Sequence, residues 1–117
     1  MTDINMEKLA LRLRKFADDR EWNQFHSPKN LSMAIAGETG ELIEHFQWLT
    51  EEQSENLPEN KLKEVGEEMS DIFIYLIRLA DQLHIDLVSA VENKILKNEE
   101  KYPIEKVRGS SKKYTEY

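Results

Sequence analysis

Glu38 and Glu41 stand three residues apart in AGETGELIEHFQW, and Glu68 and Asp71 repeat that spacing in EEMSD. On a helix this spacing stacks two side chains on one face, with Cβ atoms roughly 5–6 Å apart. At about 100° per residue, Glu38 falls inside the apolar stripe of Leu31, Ile35, Leu42 and Leu49. Glu41 lies at the edge of that stripe, and Glu44 points away into solvent. Further on, Leu62, Val65, Met69, Ile72, Leu76, Leu79 and Leu83 form a second stripe, roughly 100° wide. Glu68 sits at its margin, and Asp71 lies further round on the side of Tyr75 and Glu64. Most glutamates are plain surface residues, but one spacing used twice, each time against an apolar stripe, argues for a shared purpose. Four facing carboxylates cannot all stay ionised without compensation, because burying an unpaired charge costs several kcal/mol. His45 alone is close enough to help. A divalent ion is the simplest answer, and an all-oxygen donor set suits Mg²⁺ or Mn²⁺. A di-iron carboxylate bundle would need Glu-x-x-His pairs, and the chain has none.

These acids require helices to carry them. The apolar spacing predicts a first helix over 4–20, with Met6, Leu9, Leu13 and Phe16 on one face. Ser27-Pro28 opens a second, since serine caps well and proline suits the first helical position. It is expected to run to Leu49. The polar segment 50–58 reads as a loop that makes the second and third helices antiparallel neighbours. The third spans 59–84. Its run IFIYLI would pass alone for a buried strand, but EEMSD and RLADQL on either side hold a helical pattern. A helix apolar all round must be covered on more than one side, which predicts a homo-oligomer. A fourth helix begins at the N-cap Asp86 and stops before Pro103. The expected fold is all-α: one domain over 1–117, a four-helix-bundle core of antiparallel helices, and a C-terminal arm over 103–117.

Composition narrows the class. The chain has 117 residues, 33% of them charged, with 4 Gly, 3 Pro and no cysteine. That balance suits solvated helices, and it leaves no disulfide framework or thiolate metal site. The N-terminal stretch reads as neither a signal peptide nor a membrane span, so a soluble, cytoplasmic protein is expected. The net charge of −7 gives no basic field for nucleic acid. It is uneven: residues 94–113 carry 7 basic and 3 acidic side chains on an otherwise acidic chain.

GETGELIEHFQW followed by EEMSDIFIYLIRLA resembles the MazG-like all-α nucleoside triphosphate pyrophosphohydrolases. Their hallmark is Glu-x-x-Glu on one helix and Glu-x-x-Asp on the next, here Glu38, Glu41, Glu68 and Asp71. REWNQFHSPKNL, FQW, KYP and RGSSKKY are similar to segments of the dCTP pyrophosphatase-like branch. The resemblance spans nearly the whole chain. It implies a Mg²⁺-dependent homodimer or homotetramer that cleaves dCTP or a related nucleotide between the α- and β-phosphates, releasing monophosphate and pyrophosphate. The four acids would hold metal and serve catalysis. Glu64 shares the Asp71 face of its helix and is a candidate helper there.

On this reading Lys94, Arg108 and Lys113 pair with phosphates, and Asn98 shares a face with Lys94 one turn away. The resemblance supports Lys94 and Asn98 as ligand-binding positions. Trp22, His26, Trp48 and Tyr75 are the candidates around the base, Tyr75 foremost because it lies one turn from Asp71. In animal members of the branch a polar residue stands near the position of Leu13, which argues against strict cytosine preference. Two other classes compete: a non-catalytic helical regulatory module, and a phosphohydrolase that releases orthophosphate.

Overall fold

The computed structural model of the chain describes residues 5–110, and these form helices and turns with no strand. Helix α1, Met6–Asp19, starts where the Asn5 side chain accepts the Lys8 N–H at 3.0 Å. A 3₁₀ turn at Trp22–Phe25 follows. Helix α2, Pro28–Glu44, is capped by Ser27, which accepts the Asn30 N–H at 3.2 Å, with proline in the first turn as expected. Short α3, Glu51–Glu55, leads to the long α4, Glu59–Gln82. Helix α5, Leu87–Lys101, opens on Asp86, whose side chain accepts the Ser89 N–H at 3.1 Å. A single turn, α6, spans Ile104–Val107.

Two expectations need correction. Helix α2 ends at Glu44, not at Leu49. At His45 and Phe46 the backbone switches to three-residue bonds, His45 N–H to Leu42 C=O at 3.2 Å and Phe46 N–H to Ile43 C=O at 2.9 Å. Such tightening unwinds a helix end. The expected loop over 50–58 contains α3, because Thr50 and Gln53 form a reciprocal capping box. The segment IFIYLI is helical, as its flanks predict.

The chain divides into two compact units, Met1–Ile85 and Asp86–Tyr117. In the first, α4 is the central helix and packs on both α2 and α1. Helices α2 and α4 run antiparallel: His45, beyond the end of α2, meets Glu64 early in α4, while the earlier Glu38 lies with the later Glu68. The core joins Ala17 of α1, Leu31 of α2 and Val65, Ile77 and Ala80 of α4. Leu31 is its largest fully buried side chain. Burying a leucine completely contributes roughly 1.5–3 kcal/mol, so this is a small core. Much apolar surface stays open. Met69 is 58% exposed, and Phe73 and Leu76 lie beside it on a shallow groove with Leu42 and Ile72.

The same helix buries a charge. Arg78 is 3% exposed and faces Asp81 at 3.5 Å. Arg14 of α1 grips that carboxylate with both arms of its fork, at 2.6 and 3.0 Å. The hydrogen bond from Arg14 holds the Asp81 carboxyl below the usual range, against the opposing effect of burial. The pair thus fixes the register of α1 against α4. Among the described residues, no helix is long and apolar enough to cross a membrane.

Candidate active site

Helices α2 and α4 bring three of the four predicted acids together. One carboxylate oxygen each from Glu38, Glu41 and Glu68 lies within 4.8 Å of the others. Their exposures follow the wheel. Glu38 and Glu68 are half-buried, whereas Glu41, on the stripe's edge, is exposed, as is Glu44. The Oε2 atoms of Glu38 and Glu68 are shielded from solvent and have no hydrogen-bond partner. A buried carboxylate oxygen left unsatisfied costs roughly 1–3 kcal/mol or more. Two such oxygens in one acid cluster are where a cation would bind, and the oxygen-only donor set fits a hard divalent ion.

Electrostatics agree. Burial first, then the neighbouring Glu41, Glu68 and Asp71, pushes Glu38 up to about 7. Glu68 is raised in the same way, burial first and then Glu41. In each case the charged form loses water and gains like-charged neighbours. His45 stands at the rim, 4.0 Å from Glu68 and 3.9 Å from Glu64, and Lys61 reaches Glu64 at 3.1 Å. The expected nearby histidine is present, but it flanks the cluster instead of filling it.

Asp71 occupies a different place from the other three. It is close enough for its charge to raise both Glu38 and Glu68, yet it lines an adjoining cavity of about 260 Å³. That cavity is walled by Trp22, His26, Tyr75 and Phe16 together with Leu13, Ile74 and Arg78. The rings meet edge to face: Phe16 to Trp22 at 5.6 Å, Trp22 to His26 at 6.1 Å and His26 to Tyr75 at 6.4 Å. Asp71 thus joins an aromatic chamber to an acid cluster.

Three of the four predicted base-binding residues, Trp22, His26 and Tyr75, share this chamber. Trp48 does not line it. With α2 ending at Glu44, Trp48 sits in the following turn and is 86% exposed. Lys94 and Asn98 lie one turn apart on α5, and Arg108 caps α6, all in the second unit. Lys113 lies outside the described residues. Arg78 and Asn23 are the residues that the sequence reading passed over. Arg78 stands one turn beyond Ile74 and Tyr75 inside an apolar run, where a buried cation needs partners. Two of those partners, Asn23 and His26, lie outside α4, so local spacing does not announce them.

Fold and site together define an all-α protein with a carboxylate cluster suited to a divalent cation. The chain belongs to the MazG-like family, whose pattern matches residues 33–117. dCTP pyrophosphatase 1 of Mus musculus is 45% identical over 104 residues, covering 87% of this chain and 61% of that protein. The Bos taurus counterpart is 43% identical over 117 residues, covering 98% and 69%. The crystal structure of a pyrophosphatase from Archaeoglobus fulgidus superposes with a TM-score of 0.80 at 41% identity, covering 88% of this chain and 96% of that one. The chain spans 61% of the length of the mouse and human relatives it matches.

Proposed function

We propose that the protein is a Mg²⁺-dependent nucleoside triphosphate pyrophosphohydrolase. It would cleave dCTP or a related deoxynucleotide between the α- and β-phosphates, giving the monophosphate and pyrophosphate. One observation carries the reading most directly: three convergent acids, two with orphaned buried oxygens, adjoin an aromatic chamber through Asp71. The relatives named dCTP pyrophosphatase 1 and the archaeal pyrophosphatase support the same chemistry.

Glu38, Glu41, Glu68 and Asp71 would hold the ion, with Mn²⁺ an acceptable substitute. When bound, the ion supplies charge neutralisation at the phosphate oxygens and eases ionisation of water. The chain's own residues do the rest. Trp22 and Tyr75 offer faces for a base, and such stacking contributes roughly 1–3 kcal/mol per ring. His26 adds a polar edge. Lys94, Asn98, Arg108 and Lys113 are assigned to the phosphates, where cations form strong charge-assisted hydrogen bonds. Trp48 remains a candidate for stacking on a base only from outside the chamber. In this reading the two units work as one domain with a four-helix-bundle core, cytoplasmic and directed at free nucleotides.

Incubation with dCTP, dUTP and dATP plus Mg²⁺, with product identification, tests the proposal. Monophosphate plus pyrophosphate is expected. Diphosphate plus orthophosphate would move the protein to another hydrolase class, and no turnover of any of them would favour a non-catalytic helical module.

The assembly is part of the same proposal. The open groove of Met69, Phe73 and Leu76 on the central helix suits a second copy of the chain. Light scattering at micromolar concentration should give the mass of a dimer or tetramer, and a monomer mass would remove this part of the reading.

A further inference from the structure

The chamber wall contains one charged side chain that the roles above leave unused. Arg78 is fixed on three sides: Nη2 donates to Asn23 Oδ1 at 3.0 Å, Nε donates to His26 Nδ1 at 3.4 Å, and Nη1 faces Asp81 Oδ2 at 3.5 Å. Its partners are held in turn. The Asn23 amide nitrogen donates to Asp18, which leaves Oδ1 for the arginine. Arg14 grips Asp81, and the His26 carbonyl accepts from Gln82 Nε2 at 3.1 Å. A buried ion pair is often no more stabilising than well-packed apolar residues. Position 78 lies in the run IFIYLIRLA, where an apolar side chain would serve packing alone. So many contacts converging on one buried guanidinium call for another account.

A guanidinium only donates hydrogen bonds. The imidazole nitrogen facing it must therefore offer a lone pair, and in the neutral ring the other nitrogen carries the proton. This holds whichever way the ring is turned. We propose that Arg78 is a positioning residue for base selection: it locks His26 in the tautomer whose remaining N–H is free to donate, so that the chamber favours a flat heterocycle with a ring carbonyl or ring nitrogen at that edge. The inference rests on the nucleotide reading above and goes beyond it by naming what discriminates among bases. Its surroundings support it. Leu13, Phe16, Trp22 and Ile74 make the chamber apolar apart from Asp71, His26, Arg78 and the Tyr75 hydroxyl. A single well-placed donor is strengthened in such a wall. Burial, and then the Arg78 charge, also keeps the His26 pKa below its usual value and the ring neutral.

The test compares the wild type with Arg78→Met and Asn23→Ala. The first removes the guanidinium, and the second loosens it while keeping the buried charge. Long-range proton–nitrogen spectra report the His26 tautomer, and dCTP, dUTP, dTTP and dATP serve as probes in both turnover and binding titrations. One His26 tautomer is expected in the wild type and a mixture in Arg78→Met. KM and Kd for the preferred nucleotide should rise roughly tenfold while kcat changes much less, and the spread among the four bases should narrow. Asn23→Ala should shift the same quantities in the same direction by less, and it stands alone if Arg78→Met does not fold. An unchanged tautomer with unchanged base preference, or a loss confined to kcat, overturns the inference. If the wild type turns over none of the four, the pyrophosphohydrolase reading falls, while the tautomer and the binding titrations still decide the role of Arg78.

Discussion

Glu38→Gln is expected to lower kcat/KM by about 10³-fold or more while leaving the helical content of the chain unchanged. Glu68→Gln should behave alike. Both residues are half-buried and carry an oxygen with no partner, so an amide there removes a charge that nothing else in the cluster replaces. The same change should stabilise the metal-free protein. An amide offers N–H donors to the remaining carboxylates, whereas Glu38 is pushed up to about 7 by burial and by its acidic neighbours. Relief of one such repulsion is expected to raise Tm by roughly 5 °C in metal-free buffer. Loss of activity together with gain in stability distinguishes a site residue from a structural one, because deletion of a packing residue loses both. Glu44 is exposed and points away from the cluster, so Glu44→Gln should keep nearly full activity. Near-normal turnover in Glu38→Gln or Glu68→Gln would remove these carboxylates from the reaction.

Why the cluster could be anticipated, and the chamber only in part, follows from the distance over which each is encoded. Glu38 and Glu41 sit on α2 and Glu68 on α4, so periodicity alone places each acid relative to its own stripe. The caps at Ser27 and Asp86 are equally local, one side chain bonding a backbone N–H three residues on. The capping box of Thr50 and Gln53 was just as local, but the polarity of its surroundings reads as loop. The end of α2 is harder, since AGETGELIEHFQW carries no glycine or proline after Glu44 to stop it. As a result Trp48, which continued periodicity would carry along α2, lies out in solvent instead. Arg78 marks the limit of such reasoning. Its partners Asn23, His26 and Asp81 are 55, 52 and 3 residues away, and only the folded chain shows that an arginine in an apolar run is matched.

The metal-free protein should lose stability as pH rises from about 4.5 to about 7, the reverse of what paired carboxylates usually produce. Glu38 has an ordinary value of 4.5 and a folded value of about 7. Between these limits the folded chain keeps a proton that the unfolded chain has released, so stability falls with each step in pH. The contribution is complete below 4.5 and gone once pH passes 7. Glu68 is displaced in the same direction and reinforces the trend. Asp81 and Asp86 act oppositely but elsewhere: both are lowered from 3.8, and their stabilisation is lost only on acidification below that value. A stability maximum between pH 3.8 and 4.5 is therefore expected from urea titrations in chelator. Added Mg²⁺ should invert the picture, because carboxylates must be deprotonated to ligate. At a concentration a hundredfold above Kd, binding contributes about 2.7 kcal/mol at full ligation. The thermal shift should be several degrees at pH 8 and close to nothing at pH 5, with proton release detectable by calorimetry in buffers of different ionisation enthalpy. In Glu38→Gln the slope between 4.5 and 7 should weaken to the part that Glu68 contributes, and most of the Mg²⁺ shift should disappear. A Mg²⁺ shift that ignores pH, or that survives in Glu38→Gln, would place the ion away from these acids.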